Sequence, residues 1–233
     1  MTWILARREL RSYFDSPAAY IVLSLFLLIA GWFFGNALFL ENVASLRNLF
    51  GLVPVIYLFF IPALTMATFA EERRSGTIEL LLTMPVRDWE VILGKLLAVT
   101  SMLAIGLGLT LIFALTVASL GDLDFGATFG GYLGLLLLGL ASTAIGIFAS
   151  SITRNQIVAF ILGFALLFFF FMLDKATFFV PGWMAGTLEY LSTDFHYQNL
   201  LRGVIDSRDI IYYLSITTFF VLLTGYNLAR RAD

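Results

Sequence analysis

The chain contains no cysteine, which excludes disulfide frameworks, Cys-based zinc sites, iron–sulfur clusters and thiol nucleophiles. It has a single histidine, His196, and no HExxH, Gly-x-Ser-x-Gly or Ser/His/Asp set, so no catalytic centre and no metal or cofactor bound by this chain is expected. There is no Walker A sequence, and the chain is not expected to hydrolyse ATP alone. Charge is scarce: 13% of residues are Asp, Glu, Lys or Arg, against about a quarter in a soluble domain. The net charge of −2 lacks the basic stripe of a nucleic-acid binder. Ionisable residues are nearly absent from the middle of the apolar runs. An ion-coupled secondary transporter carries such a charge near the membrane midplane, so its lack points to an external energy source.

What fills the chain is hydrophobic residues, 60% of 233, with a mean hydropathy of +0.93. Several apolar runs reach the ~20 residues a helix needs to cross a bilayer. The pattern predicts an all-α, polytopic membrane protein forming a single transmembrane domain over residues 1–233. Six spans are expected: Ala18 to Leu40, Phe50 to Phe69, Val91 to Leu120, Thr128 to Ser151, Ile157 to Leu173 and Ile210 to Leu228. The first apolar run is long and ends in Phe39-Leu40-Glu41, which reads as a retained span and not as a cleaved signal peptide. The third run exceeds what a span needs, so it should tilt or project. With the N-terminus inside, ten basic residues (Arg7, Arg8, Arg11, Arg73, Arg74, Arg87, Lys95, Arg154, Arg230, Arg231) fall on inner segments and four (Arg47, Lys175, Arg202, Arg208) on outer ones. That bias places both termini in the cytoplasm.

Three segments are not simple spans. Residues 1–17 read as a helix lying in the membrane interface, with Trp3, Ile4, Leu10 and Phe14 near one face, Arg7, Arg8 and Arg11 off it, and Pro17 turning the chain into the bilayer. The inner loop 71–90 holds a short helix between Gly76 and Pro85, capped by Thr77 and with Glu79 in its first turn. Ile78, Leu81 and Leu82 share one of its faces, and such a face needs something to dock on. Asp88 is expected to cap the third span. The outer stretch 174–209 is too apolar for a solvated loop and too broken for a span, so one or two short re-entrant helices are expected. Within it, His196 reads as a hydrogen-bonded surface residue. Arg202 and Asp206, four apart, would pair on a helix; with His196 they are the candidates for an outer gate. Lys95 is expected to snorkel to the inner boundary, Asp174 and Lys175 to form a local pair, and Phe168 to Phe171 to face lipid. In the fourth span Ser142, Gly146 and Ser150, flanked by Gly139 and Thr143, form a small-xxx-small line for close helix packing, within the chain or with another subunit.

The segment Glu71-Glu72-Arg73-Arg74-Ser75-Gly76-Thr77-Ile78-Glu79-Leu80-Leu81-Leu82-Thr83-Met84-Pro85-Val86, with Trp89-Glu90 and Leu93-Gly94-Lys95, strongly resembles permeases of the ABC-2 transporter family. The string from His196 to Tyr212 is similar to the gliding-motility-type (GldF-like) branch, a relative of the permease of nitrous-oxide-reductase maturation. The resemblance covers essentially the whole chain. It implies two permease subunits, this chain with itself or a related one, and two ABC ATPase subunits that bind ATP and Mg. It implies that the short inner helix is the coupling element, with Glu71, Glu72, Arg73, Gly76, Thr77, Ile78, Glu79, Leu81, Leu82 and Pro85 at the ATPase. It also implies export across a bacterial cytoplasmic membrane. Membrane lipids and an accessory outer-side subunit complete the expected partners, with no nucleic acid. The alternatives are an ABC-type complex that transmits force or signal without transport, a secondary transporter, and a membrane enzyme.

Overall fold

The computed structural model describes residues 2–39, 45–77 and 87–230. The described residues form helices and short connections. Helix α1 (Thr2–Asp15) is followed by α2 (Pro17–Phe39), α3 (Arg47–Thr65), α4 (Ala67–Ser75), α5 (Asp88–Leu109) and α6 (Leu111–Leu120). Then come α7 (Phe125–Ile152), α8 (Gln156–Ala176), a 3-10 turn (Thr177–Phe179), α9 (Gly182–Leu191), α10 (Thr193–Leu201) and α11 (Ser207–Ala229). Among the described residues, six stretches are long and apolar enough to cross a membrane, and they coincide with the six expected spans within a few residues. The second joins α3 to α4, and the third joins α5 to α6.

Local chemistry sets most boundaries. Pro17 opens α2, where a missing N–H costs nothing. Asp124, Asn155, Ser192 and Asp206 cap α7, α8, α10 and α11 by accepting from backbone N–H groups of the first turn. Gly76 ends α4 in the left-handed region at φ 73°. The cap of α5 lies one residue earlier than expected: Arg87 is the N-cap, its N–H donates to Glu90 Oε2 at 3.2 Å, and Asp88 is already helical. The third span measures 33 residues, about 50 Å if straight, and is interrupted at Thr110, whose hydroxyl donates to the Leu107 carbonyl at 2.6 Å.

The fourth span, α7, is the central pillar. Of its most apolar stretch 72% is buried, against 22% for the first and fifth spans. Helices α3, α5, α8, α10 and α11 all pack against it. One continuous apolar core joins all six spans.

Helix α1 lies along α5, but its faces differ from expectation. Ala6 is buried, and Leu5, Leu10, Tyr13 and Phe14 pack on the core. Trp3 and Ile4 are exposed beside Arg7, Arg8 and Arg11. The helical period explains this, since Ala6, Leu10 and Tyr13 are spaced i, i+4, i+7, as are Ile4, Arg8 and Arg11. In the phenylalanine run, Phe168 and Phe169 are exposed while Phe171 is buried, so only part of that run faces outward.

Candidate functional site

At the end of the bundle where most basic residues gather, the second span finishes in a charged tip. Glu72 Oε1 meets Lys95 Nζ of α5 at 2.6 Å, and Glu9 Oε1 of α1 lies 3.6 Å from the same nitrogen. Lys95 is 3% exposed and sits over the Phe69 ring. It therefore does not snorkel, because two carboxylates from two other helices reach it where it is. Glu71 Oε2 accepts from Gln156 Nε2 at the start of α8. Thr77 Oγ1 lies 2.8 Å from Ser75 Oγ, and Arg73 and Arg74 close the last turn of α4. Of the expected coupling residues, Glu71, Glu72, Arg73, Gly76 and Thr77 thus stand at the tip of the second span. Ile78, Glu79, Leu81, Leu82 and Pro85 lie outside the described residues.

The small-residue line of α7 packs within the chain, on the second span. Gly146 faces Thr65 so closely that a Cβ there would overlap the threonine hydroxyl. Ser150 goes further and enters the helix itself. Its Oγ accepts from Phe69 N and Ala70 N at 3.0 and 3.1 Å and donates to Met66 O at 2.9 Å. A hydroxyl set into the ladder is a recognised cause of a helix break. The Thr65 hydroxyl donates back to Ile61 O at 2.8 Å and adds to the bend. Gly139 faces Leu103 and Tyr57, and Ser142 and Thr143 are buried. The Tyr13 hydroxyl of α1 donates to Leu64 O beside the break at 2.8 Å. Burial pushes the Tyr13 phenol up to about 12, so it remains a donor at neutral pH.

At the opposite end, where one or two short helices are expected, there are two, α9 and α10, each about 15 Å or less, too short to cross a bilayer. His196 is a buried residue and not a surface one: it is 1% exposed. Its Nδ1 meets Asp209 Oδ1 at 2.6 Å, its Nε2 donates to Tyr190 O at 2.9 Å, and Tyr212 stacks on its ring at 3.8 Å. The expected helical pairing of Arg202 with Asp206 is not formed. Helix α10 ends at Leu201, Arg202 is its C-cap, Gly203 turns the chain at φ 79°, and Asp206 caps α11 instead. The short helices are linked to the last span instead by His196–Asp209 and by the hydroxyls of Tyr212 and Tyr213, which donate to Leu191 O and Thr193 O. Asp174 and Lys175 do pair, and the pair extends: Lys175 Nζ reaches Asp194 Oδ2 of α10 at 2.9 Å, and Ser192 Oγ donates to Asp174 Oδ1 at 3.0 Å.

Two further features escaped the sequence reading. Gly130 and Gly134, spaced by four in α7, seat the end of α10; a Cβ at Gly130 would overlap the Leu200 carbonyl, and one at Gly134 would press on the Tyr197 ring. The spacing was a visible signal. The second is the Tyr197 hydroxyl, which donates to Phe50 O of α3 at 2.9 Å; Pro54 in the middle of a span was its signal. Burial raises the Tyr197 phenol well above its ordinary value, which keeps it a donor. Among the described residues no cluster of three His, Asp or Glu side chains could hold a metal ion.

Comparison with known proteins adds the family. No curated protein is significantly similar to the chain. The family model described as ABC-2 family transporter protein matches residues 3–230. A match over nearly the full length, on a six-span helical bundle whose second span ends in a locked charged tip, settles the assignment: the chain belongs to the ABC-2 family of transporter proteins and is a multi-pass membrane protein of the permease type.

Proposed function

We propose that this chain is the permease subunit of an ATP-driven exporter, paired with a second permease subunit and coupled to a separate ABC ATPase through residues 71–90. The observation that carries the reading is the tip of the second span. Glu72, Lys95 and Glu9 bind α4, α5 and α1 into one unit immediately before the loop, and Glu71 with Gln156 adds α8. A push delivered to that loop therefore reaches four helices at once. The basic bias puts this end and both termini in the cytoplasm. On this orientation Trp3 and Ile4 of α1, with Arg7, Arg8 and Arg11, meet the lipid headgroups. At the outer end the gate role falls on His196 with Asp209, while Arg202 and Asp206 frame the turn beside it. The resemblance of the 196–212 string supports the gliding-motility-type branch and a bacterial inner membrane.

The mechanism follows from differential binding. ATP, with Mg, binds the partner and draws two ATPases together, the loops move with them, and the spans rock outward because the nucleotide favours one arrangement over the other. Leu81→Asp tests the docking. A charge in an apolar cleft costs several kcal/mol, so the variant should insert normally yet fail to co-purify with its ATPase. Full retention of the ATPase would refute the docking role.

A further inference from the structure

Pro54 lies inside α3 and has no N–H, so the Phe50 carbonyl, four residues earlier, has no donor in its own helix. That carbonyl is buried in the bundle, and its donor is the hydroxyl of Tyr197, a residue of α10 that is 0% exposed. Helix α10 is in turn fastened to the last span. Tyr213 donates to Thr193 O at 2.7 Å, and His196 meets Asp209 at 2.6 Å. At its other end the second span breaks on Ser150 and ends in the Glu72–Lys95 pair. Between the break at Met66 and the Phe50 carbonyl lie 16 residues of helix, about 24 Å; the arm from Ala67 to Ser75 is about 13 Å. A tilt about Ser150 that moves the inner tip by ~1 Å moves Phe50 by ~2 Å.

We propose that the second span is a lever pivoting on Ser150, and that the Tyr197 hydroxyl on the Phe50 carbonyl is the joint through which it moves the outer helical pair. Tyr197 is thus a positioning residue for the transport cycle. This rests on the permease reading, because it needs a force applied at the inner tip. The chemistry suits a joint. The proline removes the competing intrahelical donor, so the carbonyl's partner comes from another element, and the hydrogen bond ties α10 directly to the backbone of α3.

The absence of native cysteine allows the test. Spin-label pairs are placed on the inner side (Arg74→Cys with Arg154→Cys) and on the outer side (Asp122→Cys with Thr187→Cys). Distances are measured in the complete complex with its ATPase, with and without ATP and Mg. In the parent both pairs should shift. In Tyr197→Phe the inner shift should persist and the outer shift should be lost. Tyr197→Phe also strands a buried carbonyl, so Pro54→Ala is combined with it; the alanine N–H satisfies Phe50 O from within the helix. This double variant should regain parental thermal stability and still lack the outer shift. An outer shift that persists in Tyr197→Phe, or returns with stability in the double variant, overturns the joint. Failure of the double variant to assemble would also overturn it, by showing that Tyr197 serves the fold. A parent whose inner pair does not respond to nucleotide refutes the permease reading itself; a parent that responds only inside refutes the lever alone.

Discussion

A lysine in an apolar helix can reach for the membrane surface or find carboxylates where it stands, and Lys95 takes the second course. Its charge is 3% exposed and lies between Glu72 and Glu9, which are about one-fifth exposed. The nearer carboxylate supplies most of the compensation, because 2.6 Å allows a charge-assisted hydrogen bond and 3.6 Å does not. Removing one partner of a buried pair is costly because the other charge is left without compensation. Lys95→Met should therefore lower stability by about 3 kcal/mol, while Glu9→Gln should cost under about 1 kcal/mol. Thermal unfolding of the purified protein in detergent measures both; equal effects would mean that Glu9, and not Glu72, supplies most of the compensation. The sequence displayed Lys95 and Glu72, separated by 23 positions, but a distance along the chain says nothing about which partner a side chain meets.

At the scale of elements, the second and fourth spans are shaped to each other. Gly146 admits Thr65, and Ser150 supplies the hydrogen bonds that the broken ladder lacks. Overpacking such a contact costs about 1–3 kcal/mol. Gly146→Ala should be destabilising by that amount, and adding Thr65→Ala, which removes the colliding hydroxyl and methyl, should recover part of it. The comparison is a set of melting temperatures for the two single variants and the double. A neutral Gly146→Ala would show that the two spans do not approach so closely. The small-residue spacing in α7 was readable as a packing face. That its partner is the kinked second span was not readable, since a stripe of small residues fits any helix that brings a matching bulge.

At the scale of the molecule, the charge distribution makes a prediction about sidedness. Ten basic residues fall on the segments expected inside and four on those expected outside, so the proposed orientation has α1 and residues 71–90 in the cytoplasm. Single cysteines at Ser75 and Asp233 should be protected from an impermeant thiol reagent applied to intact cells, and one at Asp122 should react. Labelling at Ser75 from outside would reverse the orientation and, with it, the side on which an ATPase could bind.

The sequence by itself determined the number of spans, the helix ahead of the first span, the short helices before the last one, and the family at the ABC-2 level. These depend on run length, on Pro and Gly, and on local caps, all of which act over a few residues and so are written where they act. The tertiary structure alone decided which polar groups meet. Arg202 and Asp206 had the spacing to pair but not the helix, because Gly203 turned the chain between them. His196 found Asp209 across two helices, and Tyr197 found the carbonyl that Pro54 had freed 147 positions away at Phe50. A buried donor or acceptor takes whichever partner the packed helices bring within about 3 Å, and that choice belongs to the assembled bundle.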